Sequence, residues 1–265
     1  MLPAQRQKLI VGEVRQHGGV RVGELATLFD VSEMTVRRDL EALNAAGLLE
    51  KVHGGATVSG ELSAYEPGFE AKASRQTAEK EAIAKEARGL VRPGQVVGLS
   101  AGTTTWRLAR HLLDVPDLTV VTNSIQVAHV LYREPRHDLT VVLIGGIRTP
   151  SHALVGPIAV DAIRSLHLDI LFLGVHGVTV DPGLTTPNLL EAETDRALVA
   201  AAASLVVVAD HAKWGVRGFC RITGLDEVDI FITDRAFPAA AQAEVSAHVK
   251  EILIAAHSVP VSSAP

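Results

Sequence analysis

After Gln76 the chain alternates helix-length stretches with short runs dominated by Val, Ile and Leu: Val96–Leu99, Thr119–Thr122, Thr140–Ile144, Ile170–Leu173, Leu205–Ala209 and Ile230–Thr233. Most of these runs are near-continuously apolar, the pattern of strands covered on both faces, and the stretches between most of them are long enough for crossover helices. This periodicity predicts an α/β fold with a mainly parallel sheet. At 265 residues the chain exceeds one typical domain, so a second, separately packed unit is expected ahead of the sheet.

That unit reads as three short helices and a hairpin. From Pro3 to about Gln16, Ile10 and Val14 fall four residues apart on one face, and His17-Gly18-Gly19 ends the run. A second helix from about Val22 to Phe29 carries Leu25, Ala26 and Phe29 as its apolar stripe and stops at Asp30-Val31-Ser32. Ser32 is placed to cap a third helix, because its hydroxyl can accept a hydrogen bond from an otherwise unpaired backbone N–H. Val36, Leu40 and Leu43 then form a core stripe, and Gly47 is placed to end the helix. Leu48-Leu49, Glu50-Lys51-Val52 and the turn residues His53-Gly54-Gly55 predict a short hairpin, the wing of a winged helix-turn-helix.

With Val36 turned inward, Met34, Arg37, Arg38 and Glu41 cluster on the opposite side of the third helix, and Ser32, Glu33 and Thr35 lie near its start. These residues are positioned to enter a major groove, where an arginine fork grips guanine O6 and N7 or clamps a phosphate. Adjacent arginines on an arbitrary helix would more often only solubilise it. Here three helices and a hairpin in fewer than sixty residues, ahead of a separate α/β unit, favour the DNA-binding reading. Bulk charge gives no help. The chain carries a net charge of -5, and residues 1–56 balance Arg6, Lys8, Arg15, Arg21, Arg37, Arg38 and Lys51 against Glu13, Glu24, Asp30, Glu33, Asp39, Glu41 and Glu50. Affinity for duplex DNA would therefore come from placement and from assembly into a homo-oligomer.

In the larger unit, Ser100-Ala101-Gly102-Thr103-Thr104-Thr105 lies between the first strand and the next helix. A glycine there lets the backbone approach a ligand, the hydroxyls donate, and the helix N-terminus offers free N–H groups, an arrangement suited to phosphate. The spacing fits neither Gly-x-Gly-x-x-Gly nor a Walker loop, and a helix cap without ligand is the competing explanation. Further loops at the expected C-terminal strand edge are Asn123-Ser124, Gly145-Gly146, Gly174-Val175-His176-Gly177 and Asp210-His211-Ala212-Lys213-Trp214. Ligands gather at that edge in open α/β sheets, and a lysine such as Lys213 would pair with a phosphate while Asp210 orients it or a sugar hydroxyl.

Taken together, Val31-Ser32-Glu33-Met34-Thr35-Val36-Arg37-Arg38-Asp39-Leu40-Glu41 and Lys51-Val52-His53-Gly54-Gly55-Ala56 resemble the DNA-binding signature of the DeoR family of bacterial sugar-metabolism regulators. The sensor half is similar to that family as well, through Gly102-Thr103-Thr104, Val121-Thr122-Asn123-Ser124, Gly145-Gly146 and Ala209-Asp210-His211-Ala212-Lys213. The resemblance adds Lys51 and His53 to the expected DNA contacts. It implies a sensor domain resembling ribose-5-phosphate isomerase, and operator repression controlled by a phosphorylated sugar held by Ser100, Gly102, Thr103, Thr104, Thr105, Asn123, Ser124, Gly145, Gly146, His176, Asp210 and Lys213. Two positions depart from the pattern: many members carry Asp where Ser100 stands, and His176 occupies a variable site.

The expected organisation is a winged helix-turn-helix at 1–57, a linker at 58–74 marked by Gly60, Pro67 and Gly68, an effector-sensing domain at 75–257 and a tail at 258–265. A sugar-phosphate isomerase or deaminase is the rival reading. Such enzymes need a carboxylate base beside the sugar, yet Leu173–Gly177 lacks an acidic cluster, leaving Glu191, Glu193 and His176 as the groups that could approach. No catalytic residue, cofactor or metal is expected: Cys220 is the lone cysteine, and the eleven histidines are scattered without a ligand motif. The start of the chain turns polar at once, and its longest apolar stretch, Ala197–Ala209, is closed by Arg196 and Asp210. A cytoplasmic protein without a membrane span is the expectation.

Overall fold

A computed structural model describes residues 2–17, 19–45, 48–52, 54–57, 68–133 and 136–256. The N-terminal unit runs α1 (Pro3–His17), β1 (Gly19–Arg21), α2 (Val22–Phe29), α3 (Glu33–Ala45), β2 (Glu50–Val52) and β3 (Gly55–Thr57). Its strands form one antiparallel sheet in the order β1-β3-β2, so the hairpin gains a third strand from the segment between α1 and α2. Ile10, Val14, Leu25, Val36, Leu40, Leu43 and Leu49 are buried together as its core. Each such side chain contributes roughly 1.5–3 kcal/mol relative to exposure. Ser32 caps α3 as expected: its Oγ accepts the N–H of Thr35 at 3.2 Å. Asp30 ends α2 in the left-handed region, φ 51°, a conformation that Asp tolerates better than most residues. Gly47, expected to end α3, lies outside the described residues.

The larger unit begins with α4 (Phe69–Ala73) and α5 (Thr77–Arg88), followed by β4 (Val96–Leu99), α6 (Thr103–His111), β5 (Leu118–Thr122), α7 (Ile125–Tyr132) and β6 (Leu139–Leu143). A small hairpin, β7 (Ile147–Arg148) and β8 (Leu154–Val155), precedes α8 (Pro157–Ile163) and β9 (Ile170–Gly174). Then come β10 (Gly177–Val178), β11 (Leu184–Thr186), α9 (Leu189–Ala201), β12 (Leu205–Val208), β13 (Cys220–Thr223), β14 (Ile230–Asp234), α10 (Ala239–Ser246) and β15 (Glu251–Ala255). Seven of these strands form a parallel sheet in the order β15-β14-β12-β9-β4-β5-β6. All six strand expectations fall within it. The seventh, β15, was not among them, and neither were the short antiparallel strands β10, β11 and β13 that form a separate sheet.

The sheet has an apolar core on each face: one centres on Ile83, Leu108, Leu112 and Phe172, the other on Leu171, Leu173, Leu198 and Phe231. Strand β4 is the first of the sheet; from it the chain proceeds outward through β5 and β6, then returns to β9 on its other side and continues to β12, β14 and β15. The order reverses between β4 and β9, which is where open α/β sheets form a ligand crevice beyond their strand ends. Packed structure starts earlier than the expected boundary at 75. Within the 58–74 linker, Phe69–Ala73 is helical, and the buried Phe69 ring meets Trp106 edge-on with centroids 5.7 Å apart. A short apolar anchor in a stretch of weak periodicity is hard to distinguish from linker by pattern alone. Residues 58–67 and the tail at 258–265 lie outside the described residues.

Candidate functional site

The candidate recognition surface is built on α3. Burying Val36, Leu40 and Leu43 turns Ser32, Glu33, Met34, Arg37, Arg38 and Glu41 to solvent, with Thr35 half-buried at the capped end. Arg37 Nη2 donates to Glu33 Oε2 at 3.1 Å, an exposed pair one helical turn apart. Such a pair is worth little in water and is readily exchanged for a phosphate or base. The helix itself is fixed from below. Arg6 Nε of α1 donates to Asp39 Oδ2 at 2.5 Å and Gln7 Nε2 to Asp39 Oδ1 at 3.0 Å, with both charged groups buried. Lys51 lies in β2, and His53 lies outside the described residues.

The second site lies beyond the C-terminal ends of β4, β9 and β12. Gly102, Thr103 and Thr104 at the start of α6, Gly174-Val175-His176 after β9, and Asp210 with Lys213 after β12 line one hollow. The same hollow is lined by Lys72 of α4, Lys80 of α5, Thr186 at the end of β11 with Pro187 after it, and Glu191 and Asp195 of α9. Gly102 and Gly174 face one another closely: a Cβ on Gly102 would stand 3.7 Å from Gly174 Cα and 3.1 Å from Thr105 Oγ1. The floor is thus backbone, and the polar side chains stand around it.

Three lysines and three carboxylates meet here. Asp210 Oδ1 accepts the N–H of Ala212 at 3.1 Å, capping the short turn that carries Lys213, while its buried Oδ2 makes no hydrogen bond among the described residues and lies 4.0 Å from Lys80 Nζ. Burial pulls Lys80 down to about 8, against the attraction of Asp210. Asn188 caps α9, its Oδ1 accepting the N–H groups of Leu190 and Glu191 at 3.0 and 3.2 Å. The Glu191 carboxylate then accepts the hydroxyls of Thr149 at 2.8 Å and Thr186 at 3.1 Å. One turn on, burial raises the Asp195 carboxyl well above the usual carboxylate range, and the neighbouring Glu191 adds to the shift. The cationic groups and the open N-terminus of α6 suit an anion, and the carboxylates suit hydroxyl donors.

Of the residues expected to hold a ligand, Gly102, Thr103, Thr104, His176, Asp210 and Lys213 share this hollow. The others are built into its frame. Ser100 is buried, its Oγ accepting the N–H of Gly174 at 3.0 Å, and Thr105 Oγ1 donates to the Ser100 and Gly102 carbonyls at 2.7 and 3.0 Å. Asn123 Oδ1 accepts the N–H of Ala101 at 2.9 Å, and Ser124 Oγ caps α7 by accepting the N–H of Val127 at 3.2 Å. Gly145 and Gly146 lie between β6 and β7, away from the hollow. Gly146 has φ 149°, and a Cβ there would meet the Val155 carbonyl at 2.5 Å, which accounts for the glycine without a ligand. Glu193 faces a separate depression between α8 and α9, so only Glu191 and His176 of the three groups considered for catalysis stand at the hollow. Lys72, Lys80, Glu191 and Asp195 complete the site. Of the four, sequence reading named only Glu191, as a group that could approach the site, and a lysine on the helical stripe of Ile83, Ala84 and Ala87 was the signal available for Lys80.

Among the described residues no helix is long and apolar enough to cross a membrane. Residues 6–61 match the DeoR-like helix-turn-helix domain, and residues 75–235 match the DeoR C terminal sensor domain. The chain is 37% identical over 235 residues to the HTH-type transcriptional regulator GolR of Listeria innocua, covering 88% of this chain and 91% of that one. It is 39% identical to the HTH-type transcriptional regulator GlpR of Haloferax volcanii, over 92% and 95% of the two chains. It is also 33% identical to a putative aga operon transcriptional repressor of Escherichia coli O157:H7, over 89% and 88%. A D-ribose-5-phosphate isomerase in complex with phospho-erythronic acid aligns with 51% of this chain and 52% of its own at 19% identity and a TM-score of 0.38, a likeness that carries no functional argument. The relatives matched along nearly their whole length are regulators and not isomerases, and with both domain models matched in order the chain belongs to the DeoR family of transcriptional regulators.

Proposed function

We propose that this regulator is a cytoplasmic repressor of sugar-metabolism genes that binds operator DNA as a homo-oligomer and releases it when a phosphorylated sugar occupies the hollow beyond β4, β9 and β12. The observation that carries the reading is the meeting of the α6 N-terminus with Lys72, Lys80 and Lys213 and with Glu191, Asp195 and Asp210 around one hollow. A phosphate would take charge-assisted hydrogen bonds from the backbone and lysines, and the sugar hydroxyls would donate to the carboxylates. Oligomerisation follows from the single small recognition helix on a charge-balanced domain, since linked sites multiply weak contacts.

Calorimetry with ribose and ribose 5-phosphate, and with glucose and glucose 6-phosphate, on wild type, Lys213→Ala and Thr104→Val tests the ligand class. An ester should bind at least about tenfold more tightly than its free sugar, as two charge-assisted bonds would give, and both variants should weaken it. Equal binding of sugar and ester, or unchanged binding in both variants, would reject the phosphate site. Operator duplexes selected from a random library, retained by the free protein and released by the ester, test the coupling.

A further inference from the structure

The parallel sheet has an edge strand at each end, and the two edges differ. At one, β15 opens on Glu251 directly after Lys250, exposed charges of the kind that discourage an edge from pairing. At the other, β6 (Leu139-Thr140-Val141-Val142-Leu143) carries no charge and no proline, keeps unbroken register with β5, and has β5 as its one strand neighbour among the described residues. The Ile144 N–H donates inward to the Thr122 carbonyl at 2.8 Å. By strand alternation the peptide groups of Thr140 and Val142 also face β5, and those of Leu139, Val141 and Leu143 face out. Leu143, Ile147 and Ile158 stand at this edge with 40%, 58% and 68% of their surfaces exposed. Ile158 reaches the turn after β6, since a Cβ on Gly145 would lie 4.0 Å from its Cγ2, and Ile147 reaches the start of α8, 3.5 Å from a Cβ on Gly156.

We infer that a second copy of this chain pairs with β6, antiparallel and about a two-fold axis through Val141, joining two seven-stranded sheets into one. The inference rests on the homo-oligomer reading and adds to it the surface that makes the assembly. An edge whose outward groups lie at Leu139, Val141 and Leu143 is complementary to itself. Val141 meets the partner's Val141 and Leu139 meets the partner's Leu143, each pair exchanging both N–H···O bonds. Charge favours the same direction. Asp117 and Asp138 stand at the start of β6, where the Asp117 N–H donates to Asp138 Oδ2 at 3.3 Å, and the exposed Arg148 follows its end. Antiparallel pairing carries Arg148 of each copy toward the acidic start of the other, and no like charges fall opposite one another within the strands. The glycine pair after β6 fits as well. Gly146 is required by its own chain, but Gly145 has no positive φ and open space for a Cβ apart from the ordinary contact with Ile158. It falls across from the partner's His137, where a missing side chain leaves room. Exposed apolar groups such as Ile147 and Ile158 beside an open edge mark an association surface, and a two-fold dimer matches the two half-sites of a palindromic operator.

Sedimentation velocity of the full chain at micromolar concentration, on wild type, Thr140→Lys and Val141→Pro, tests this together with cross-linking. Thr140 is exposed and falls opposite the partner's Val142, so a lysine there charges the interface and leaves the core alone. The Val141 N–H faces out, so proline removes a donor from the interface and none from the β5 ladder. Each variant should weaken association at least about tenfold, as charge and proline on a paired edge would give, while the far-ultraviolet circular dichroism stays that of wild type. Thr140→Cys places two thiols about 8 Å apart across the axis, and a short bis-maleimide should join them into a covalent dimer. Cys220 is buried, and the exposed Ala240→Cys on α10 is the control that should not cross-link. If wild type sediments as a monomer, the homo-oligomer reading fails and takes this inference with it. If wild type associates and Thr140→Lys associates equally well, or Thr140→Cys cross-links no more than Ala240→Cys, the oligomer stands and β6 is not its contact. Should Val141→Pro lose its fold, Thr140→Lys and the cross-link decide alone.

Discussion

The two functional regions handle their charged groups in opposite ways. On α3 the residues proposed to meet DNA come from one continuous stretch and stand mostly in solvent, with Arg37 and Glu33 in an exposed ion pair. In the sensor the charges lining the hollow come from α4, α5, α9 and the loop after β12, spread from Lys72 to Lys213, and several are buried. Solvent leaves the first set hydrated and ready to exchange partners. Burial makes the second set respond to whatever enters, since Lys80, Asp195 and Asp210 have given up hydration that a ligand can replace. The DNA-binding domain uses its one described buried ion pair, Arg6–Asp39, to hold α1 against α3.

The contrast is broken most directly at that pair. Asp39→Ala leaves Arg6 buried and uncompensated, which costs about 3–5 kcal/mol when one partner of a buried pair is removed. Calorimetry of the full chain should show the unfolding of the N-terminal unit moved to much lower temperature with the sensor transition in place. An unchanged first transition would mean that the pair is solvated in practice and that the two regions do not differ as described.

The same contrast explains what the sequence made legible. The cores of both units were readable because Val36, Leu40 and Leu43 follow a helical period and strands such as Leu205–Val208 are continuously apolar. The exposed face of α3 follows from its buried face, so the residues proposed to read DNA came with the fold. The hollow has no such periodicity. Lys80 and Asp210 lie far apart in sequence and come together only through the packing of α5 against the sheet, and Lys72 sits in a stretch read as linker. Conversely Ser100, Thr105, Asn123 and Ser124 look like ligand residues because small polar side chains near glycine also cap helices and fix loops. Their hydrogen bonds in the folded chain go to backbone groups.

Next in size is the recognition surface. Arg37→Ala and Arg38→Ala should each weaken binding to a selected operator by about 1–3 kcal/mol where the lost contact is bidentate to a base. Thermal stability should hardly change, because both side chains are exposed. Titration of labelled duplex against each variant measures it. Full operator affinity in the double variant would remove α3 as the reading element.

Asp195→Asn sharpens the sensor half of the comparison. Burial raises this carboxyl well above its ordinary range, with Glu191 adding to the shift. A folded-state value above the unfolded one means that the native protein binds the extra proton. Its contribution is therefore complete below the unfolded carboxylate range near pH 3.9 and is lost as pH rises through the elevated folded value. Wild type should lose sensor stability on going from acid toward neutral pH for this reason, and Asp195→Asn should flatten that part of the profile. The expected effect is a modest rise in sensor Tm at neutral pH that shrinks toward acid. A variant whose Tm falls equally at every pH would show a carboxylate that is needed ionised.

The smallest expected effect is on the ligand side and concerns Lys80. Desolvation lowers it to about 8, while Asp210 raises it and Lys213, Arg107 and Lys72 lower it further. Those are the charged groups that face it from α4, α6 and the loop after β12, together with Asp210 on that loop. At neutral pH Lys80 is mostly protonated and able to pair with a phosphate; above its folded value it loses that charge. A phosphate ester is already doubly ionised at this point, its second pKa being about 6, so the ligand contributes no opposing trend. Affinity for ribose 5-phosphate should therefore hold near neutrality and fall by about two- to fivefold between about pH 7 and pH 9, as a bound anion partly restores the lysine's proton. The free sugar should show no such fall. Lys80→Met should bind the ester weakly at both pH values and abolish the slope. A slope that survives in Lys80→Met would assign the titration to another group and place Lys80, whose Nζ donates to the Lys72 and Arg75 carbonyls, among the supports of α4 alone.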